Sequence, residues 1–312
     1  EPNTSPNGPG STGYYLRTIN HQNRQQLIEP TREKQWMPVD LYVGGAEHAT
    51  RHLLYARFWH KFLFDIGVVS TAEPFKKLVH VGLIQAEDGR KMSKRWNNVI
   101  NPDDIIAQFG ADSMRAYEMF MGPFTQNVAW STAGVSGVRK FLEKIWRAQQ
   151  KVDESLSDKK FVSLLHKTIK KVTEDIENFR FNTAVSALMI LANSVEKQER
   201  VNKDDYGKLL ILLAPFAPHM AEELWEAMGG NDSIFLTAWP QYDAQLAKDE
   251  EVELVVQING KVRERLLVAA DVTEDEIKET ALESERIRPY TEGREIKKII
   301  FVPGKLLNIV VV

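Results

Sequence analysis

The sequence predicts a multidomain chain with an α/β segment, an all-helical segment and a small α+β module at its C-terminus. Three observations predict this arrangement. A short apolar strand, a glycine pair and a long helical pattern follow one another over residues 38–67. Helical periodicity then continues from about residue 131 to residue 229. The tail contains ELVVQI-NG-KVRERLLV, where Asn-Gly between apolar runs is a strong hairpin signal. The predicted domains are 1–130, 131–240 and 241–312.

The α/β segment is represented by PVDLYVGGAEHA at residues 38–49, which predicts a strand, a turn at Gly44-Gly45 and the start of a helix. That helix continues through residues 52–67, where Leu54, Phe58, Phe62 and Ile66 recur every four positions and mark one face. We expect the Trp, Phe and Met side chains of the helices to lie in the core. In α/β sheets, ligands bind beyond the carboxyl ends of the strands. This would place Gly44, Gly45, Glu47 and His48 at a ligand edge, although an ordinary helix start that carries polar residues explains the segment equally well.

A cationic loop follows at residues 88–98, DGRKMSKRWNN. Asp-Gly and Asn-Asn flank it and are turn-forming pairs. Its ammonium groups suit a polyphosphate at the edge of an α/β sheet. From charge alone, a solvated basic loop is the better interpretation.

The helical segment predicts an antiparallel bundle, because short connections join its amphipathic stretches. Before it, residues 102–121 predict two helices interrupted at Gly110. After the hairpin, Thr273 and Glu276 fit a capping box, and residues 297–312 predict two strands around Pro303-Gly304. The tail is therefore interpreted as a ββαββ-like module.

Composition excludes several classes of function. The chain has 312 residues, a formal net charge of -3 and no cysteine, so disulfides, thiol nucleophiles and Cys-zinc sites are absent. The longest apolar run, residues 209–218, is too short to span a bilayer. We expect a cytoplasmic protein with no secretory signal and no membrane partner.

Two histidines and a basic tail allow other interpretations. His48 and His52 have metal-ligand spacing on a predicted helix, but the H-E-x-x-H pattern is missing, so we predict no bound metal. A metal hydrolase using this pair is a remote alternative. The tail carries basic residues that fit either an RNA-backbone patch or a solvated surface: Lys261, Arg263, Arg265, Arg286, Arg288, Arg294, Lys297 and Lys298.

Taken in order, several segments resemble the C-terminal part of bacterial leucyl-tRNA synthetase. They are PVDLYVGGAEHA…HLLYARFWHK, KMSK, NPDDI…GADSMRAYEMFMGP, FNTAVSALM, LAPFAPHMAEELWE and VQINGKVR. The resemblance implies the end of a Rossmann-type class I catalytic domain, a helical bundle of anticodon-binding type and a small tRNA-binding domain. In that family, the upstream half carries the HIGH motif, much of the leucine pocket and the editing domain.

The resemblance also implies a role for each matching residue. Lys91 and Lys94 would act on the ATP phosphates, with Met92 and Ser93 in the same KMSKS-like loop. Gly44, Gly45, Glu47 and His48 would bind ATP or the adenylate, with Glu47 at the ribose. His52 would lie near the amino-acid pocket. The basic tail would contact tRNA(Leu). ATP with Mg²⁺ and leucine are the implied ligands, and a complementary N-terminal chain is an implied partner.

The chain departs from the family pattern at several positions. Arg95 stands where the loop usually has serine, and Trp96 where it has lysine or arginine. Gly13, Arg51 and Val81 replace a tryptophan, an apolar residue and a glutamine. Two hypotheses follow. The chain is part of a leucine–tRNA ligase that is inactive without its HIGH-containing half, or it is a degenerate synthetase-like protein that binds tRNA or a protein without catalysis.

Overall fold

A computed structural model describes residues 12–247, 251–269 and 272–312. By its internal contacts the chain forms two compact units. The first comprises Glu1–Lys144, Glu174–Met189 and Ala214–Met220, and the second comprises Ile145–Thr173, Ile190–Leu213 and Ala221–Val312. The domain limits drawn from the sequence remain predictions.

The described helices and strands alternate as a mixed α/β chain that is rich in helix. The helices are α1 (Tyr14–Ile19), α2 (Pro30–Trp36), α3 (His52–Asp65), α4 (Pro102–Phe109), α5 (Ala111–Phe120), α6 (Thr132–Ala148), α7 (Lys159–Glu177), α8 (Phe181–Lys197), α9 (Lys203–Leu213), α10 (Pro218–Ala227), α11 (Glu274–Glu283) and α12 (Arg288–Thr291). The strands are β1 (Tyr42–Gly45), β2 (Leu78–Val81), β3 (Ile84–Gln85), β4 (Val128–Ala129), β5 (Val152–Asp153), β6 (Val201–Asn202), β7 (Glu251–Ile258), β8 (Lys261–Ala269), β9 (Ile296–Val302) and β10 (Leu306–Val311).

Two short parallel strand pairs organise the first unit. Strand β1 pairs with β2 in the register Tyr42↔Leu78 to Gly45↔Val81. Strand β3 pairs with β4, Ile84 opposite Val128 and Gln85 opposite Ala129. The predicted turn at Gly44-Gly45 is wrong, because both glycines belong to β1 and the chain turns only afterwards, in a 3-10 turn over Ala46–Thr50.

Helix α3 buries a different face from the one that its apolar spacing predicts. Its buried residues are Ala56 and His60, whereas Phe58 is 69% exposed and Phe62 is 47% exposed. The prediction that these two aromatic side chains are core was wrong. His60 is satisfied in the interior, since its Nδ1 shares a hydrogen bond with the Tyr15 hydroxyl at 2.9 Å and its Nε2 lies 3.2 Å from the Thr71 hydroxyl. Burial lowers the pKa of His60, which favours the neutral ring.

Local signals correctly predicted several other elements. The break at Gly110 is confirmed, since α4 ends at Phe109, α5 begins at Ala111 and Gly110 has a φ of 88°. Only glycine adopts such a backbone without strain. In the same unit, His219 and the start of α10 share the Asp112 side chain as a partner. The His219 Nδ1 lies 2.8 Å from the Asp112 carboxylate, which also accepts the Met220 backbone N–H at 2.7 Å.

The second unit contains a helical core and the C-terminal sheet. Tyr206 is fully buried and donates its hydroxyl to the Ile145 carbonyl at 2.8 Å. The Asn-Gly hairpin and the Thr273–Glu276 capping box are both confirmed. The sheet has the order β8-β7-β10-β9, in which β7 and β10 are parallel. Side chains of α11 and of the α11–α12 connection, Ile277, Ala281 and Ile287, cover one face of this sheet.

No helix in the described ranges is long and apolar enough to cross a membrane.

An ion pair between α3 and Glu73 predicts a pH-dependent contribution to stability. Arg57 donates to Glu73 at 2.7 Å and Lys61 lies 3.2 Å away, and these contacts lower the Glu73 pKa from 4.5 to about 2. Because the folded-state pKa is depressed, this stabilisation is present above pH 4.5 and is lost as the pH falls toward 2. The carboxylate is half exposed, so we expect Glu73→Gln to cost at most about 1 kcal/mol at neutral pH.

The measurement for this pair is urea unfolding of wild type and Glu73→Gln between pH 7 and pH 2.5. The difference in the free energy of unfolding between wild type and Glu73→Gln should become smaller below pH 4.5. Glu226→Gln, which removes an exposed carboxylate with no ion pair in the described part of the chain, is the control. A difference that stays constant with pH would contradict this assignment.

The Asp112 contacts predict a larger effect on stability. Asp112→Ala removes the acceptor for the Met220 N–H at the start of α10, so we expect a loss of about 1–2 kcal/mol in the free energy of unfolding. Asp104→Ala, at an exposed position in the first turn of α4, should change it by less than about 0.5 kcal/mol. Equal losses in the two variants would show that the Asp112 contacts contribute nothing specific.

Candidate functional site

The end of β1 forms a tight polar turn in which two glycines leave room for a carboxylate. A Cβ on Gly45 would overlap the Glu47 carboxylate, which therefore lies directly over this stretch of backbone. A Cβ on Gly44 would stand 3.3 Å from Tyr42 Cε1 and 3.7 Å from His48 Cδ2. Gly44, Gly45, Glu47 and His48 are thus brought together, at the carboxyl end of a parallel strand.

The two histidines of this segment do not share a continuous helix face, so that part of the sequence interpretation was wrong. His48 belongs to the 3-10 turn, and Arg51, with φ -119° and ψ -100°, separates it from α3, which begins at His52. The His48 Nδ1 is buried with no hydrogen-bond partner in the described part of the chain. This orphaned nitrogen is the kind of group that a bound ligand satisfies.

His52 is held by aromatic neighbours. Its Nδ1 lies 3.0 Å from the Tyr42 hydroxyl, and the two rings stack at 5.6 Å with an interplanar angle of 16°. The Tyr14 ring lies 5.3 Å away on a tilted approach. Burial raises the pKa of Tyr42, so its hydroxyl stays protonated and can donate. The sequence reading missed both tyrosines, although Tyr42 stands two positions before Gly44 on the same strand face.

The base of the cationic loop is fixed to the start of α6. The Trp130 backbone N–H donates to the Gln85 carbonyl at 2.9 Å and extends the pairing of β3 with β4. Glu87 accepts both the backbone N–H and the hydroxyl of Thr132, each at 3.1 Å. A carboxylate at a helix N-terminus satisfies an otherwise unpaired N–H and interacts favourably with the helix dipole. Glu87 is a second residue that the sequence interpretation missed, since its partner lies 45 positions away.

Within the loop, the side chains of residues 88–98 bond to one another, while the backbone also pairs with Gln85 and Ala86. Asp88 receives two bonds from the Arg90 guanidinium, at 2.8 and 2.5 Å. The Ser93 N–H donates to Asn98 Oδ1 at 2.9 Å, and Ser93 Oγ caps a short 3-10 turn over Lys94–Trp96. In the described part of the chain, the side-chain hydrogen bonds of this loop all stay within residues 88–98.

The two predicted phosphate-binding cations are open to solvent. Lys91 and Lys94 are exposed, and neither ammonium group has an ion-pair partner among the described residues. Met92 and Ser93 are half-buried. No hydrogen bond in the described ranges joins this loop to the Gly44–His48 turn, which lies at the other strand pair. The structure therefore describes two separate groups of predicted site residues in the first unit.

The basic residues of the tail are also divided. Lys261, Arg263 and Arg265 lie on β8, and Lys297 and Lys298 lie on β9, so the two groups occupy opposite edges of the sheet. Arg286 and Arg288 lie near the start of α12. Arg265 is paired with Glu253 at 2.6 Å, whereas the Arg263 guanidinium lies 4.2 Å from the Tyr290 ring centroid.

The described residues contain no group of three or more His, Asp or Glu side chains that could hold a metal ion. They thus offer nothing in support of a hydrolytic metal centre at His48 and His52, and the absence of a bound metal remains a prediction.

Comparison with known proteins matches two segments of the chain to tRNA synthetase domains. Residues 24–131 match the family described as "tRNA synthetases class I (I, L, M and V)", and residues 158–278 match "Anticodon-binding domain of tRNA ligase". Among solved structures, the chain is similar to a LeuRS of Agrobacterium radiobacter K84, solved as a ternary complex with tRNA and LeuAMS. The two are 32% identical with a TM-score of 0.76, over 97% of this chain and 42% of that one.

A second structure shares the fold alone. It is the methionyl-tRNA synthetase of Mycobacterium tuberculosis in complex with methionyl-adenylate, 15% identical with a TM-score of 0.50, over 72% of this chain and 54% of that one. The chain spans less than half the length of the LeuRS that it matches. By its two matched segments and its similarity to LeuRS, the chain carries domains of the class I tRNA synthetases.

Proposed function

We propose that the chain supplies the phosphate-binding loop, part of the adenylate site and the tRNA-binding modules of a leucine–tRNA ligase. The observation that carries this proposal is the cationic loop. Its base is anchored through Glu87 to the start of α6, and it exposes Lys91 and Lys94 with no ion-pair partner among the described residues. The similarity to a LeuRS bound to tRNA and LeuAMS supports leucine, ATP and tRNA(Leu) as ligands.

The chemistry needs cations where negative charge develops. A leucine carboxylate oxygen attacks the α-phosphorus of ATP, and the bond from that phosphorus to the pyrophosphate oxygen breaks. Lys91 and Lys94 stabilise the pentavalent phosphate and the departing pyrophosphate. A hydroxyl of the terminal tRNA adenosine then attacks the leucyl carbonyl carbon, and AMP leaves. Mg²⁺ would arrive on the ATP phosphates.

The Gly44–His48 turn suits the nucleoside part of the adenylate. Glu47 would accept hydrogen bonds from the ribose hydroxyls, and the backbone at Gly44 and Gly45 allows close approach. The buried Nδ1 of His48, which has no partner in the described ranges, would gain one from the ligand. His52, held by Tyr42, would lie beside the leucine pocket.

The proposal includes a complementary half that carries the HIGH motif and most of the leucine pocket. Helix α3 supports it, because Leu54 and Phe58 are 59% and 69% exposed at four-residue spacing. A two-stranded parallel sheet such as β1-β2 also rarely stands alone, since parallel sheets bury both faces. We therefore expect the chain by itself to form no leucyl-adenylate.

The alternative function is a degenerate synthetase-like protein that binds tRNA or a protein without catalysis. Arg95 and Trp96, which replace the usual residues of the loop, favour it. Fusing the upstream part of the A. radiobacter LeuRS to this chain separates the two functions. Leucine-dependent ATP–pyrophosphate exchange by the fusion supports the ligase, whereas tight tRNA binding without exchange supports the alternative.

In that fusion, replacing both Lys91 and Lys94 by methionine should lower the exchange rate by at least roughly a hundredfold, because each lysine stabilises charge in the transition state. Leucine binding should change little. Lys297 and Lys298, on β9, provide the matched control, and their replacement by methionine should leave the exchange rate within about twofold. An unchanged rate in the loop variant would refute the role given to these lysines.

Gly45→Ala tests the adenylate turn. The new Cβ would push the Glu47 carboxylate aside, and since a flexible side chain yields easily, stability should hardly change. We expect the fusion to bind a leucyl-adenylate analogue roughly tenfold more weakly, as Glu47 loses its ribose contact. Gly13→Ala, where a Cβ meets nothing within 4 Å, is the control. If calorimetry gives Gly45→Ala the same affinity for the analogue as the unmodified fusion, Glu47 does not contact the ribose.

A further inference from the structure

Two residues that depart from the family pattern, Arg95 and Trp96, form a single structural unit with Arg90 and Asp88. The Arg90 guanidinium lies 4.9 Å from the centre of the Trp96 ring, and the Arg95 guanidinium lies 5.2 Å from it. These distances fall within the range of cation–π attraction. Trp96 thus contacts both arginines, although its ring remains half exposed.

The two arginines differ in charge pairing. Arg90 is neutralised by Asp88 through two hydrogen bonds, so its role is to hold the Trp96 ring in place. Arg95 makes no ion pair in the described part of the chain, and its guanidinium faces solvent beside the ring. The loop therefore presents three uncompensated cations, Lys91, Lys94 and Arg95.

The backbone around Arg95 is also well defined. Its N–H donates to Ser93 Oγ at 3.2 Å, within the 3-10 turn that carries Lys94. That turn ends at Asn97, which adopts a left-handed φ of 51°. Asparagine tolerates this conformation better than most residues. Lys94 and Arg95 are consequently held on the same short turn.

We propose that Arg95 is a third polyphosphate-binding residue of this loop and that Trp96 is the positioning residue that orients it. This inference rests on the proposed function of the loop. A guanidinium presents a planar fork that can bind two phosphate oxygens at once, which a serine hydroxyl cannot do. Stacking on a ring already fixed by Arg90 lowers the conformational entropy that Arg95 loses when it binds phosphate. Arg95 thus restores the cation that is lost where Trp96 replaces a lysine or arginine.

The test uses the 312-residue chain and two probes, tripolyphosphate and ATP, with the affinity of each variant measured by isothermal titration calorimetry. Arg95→Ser should weaken binding of both probes roughly fivefold, the effect of losing one exposed charge contact. Arg24→Ser removes an exposed guanidinium far along the sequence from the loop and should change the affinity by less than about 1.5-fold. Thermal unfolding of each variant checks that the fold is retained.

The ring is tested separately. Trp96→Phe keeps an aromatic face and should bind tripolyphosphate nearly as well as wild type, whereas Trp96→Ala should bind it about two- to threefold more weakly. Because Trp96→Ala leaves all four loop cations in place, this difference reports orientation rather than charge. Equal affinities for Arg95→Ser and Arg24→Ser would overturn the proposal, and an unaffected Trp96→Ala would overturn the role of the ring.

A double variant separates this proposal from the proposed function. If the double variant Lys91→Ser, Lys94→Ser binds tripolyphosphate as wild type does, the phosphate role of the loop fails and this inference fails with it. If the double variant binds weakly but Arg95→Ser binds normally, only the role of Arg95 fails.

Discussion

The pairing of residues 84–87 with residues 128–132 is the interaction on which the cationic loop depends. Strand β3 has only two residues, so its pairing with β4 alone would hold it weakly. The bond from the Trp130 N–H to the Gln85 carbonyl extends the ladder, and Glu87 then joins it to the N-terminus of α6. Tyr117 reinforces the same point, since its hydroxyl accepts the Ser131 N–H at 2.9 Å and its ring packs edge-on against Trp130. The cations of the loop can stay unpaired because hydrogen bonds at the base of the loop hold it in place.

In the first unit, hydrogen bonding determines which side chains are buried as much as hydrophobicity does. His60 lies in the interior with both ring nitrogens bonded, while the Phe58 and Phe62 rings of the same helix lie at the surface. An exposed apolar stripe beside a two-stranded parallel sheet is unusual for a surface that faces only water. Both features are compatible with a chain that matches 42% of a longer synthetase structure.

The cationic side chains fall into two groups, those that are paired with carboxylates and those that are proposed to bind ATP. Arg90, Arg57 and Arg265 are paired with nearby carboxylates at 2.5 to 2.7 Å. The cations proposed to meet ATP, by contrast, have no carboxylate partner in the described ranges. This separation gives the loop a net positive charge although the whole chain has a formal charge of -3. A local field of this kind attracts a polyphosphate without requiring a basic protein.

The sequence by itself determined the elements whose signals lie within a few residues. These include the hairpin at Asn259-Gly260, the break at Gly110, the capping box at Thr273 and the turn character of the cationic loop, because turn and cap chemistry acts over one to four positions. Order and spacing of motifs also indicated the family. Only the tertiary structure decided which face of α3 is buried, that Glu87 meets Thr132 and Tyr42 meets His52, and that the basic residues of β8 and β9 lie at opposite edges of one sheet. These facts depend on contacts between residues 10 to 45 positions apart or on strand order, and neither periodicity nor composition encodes which distant partners meet.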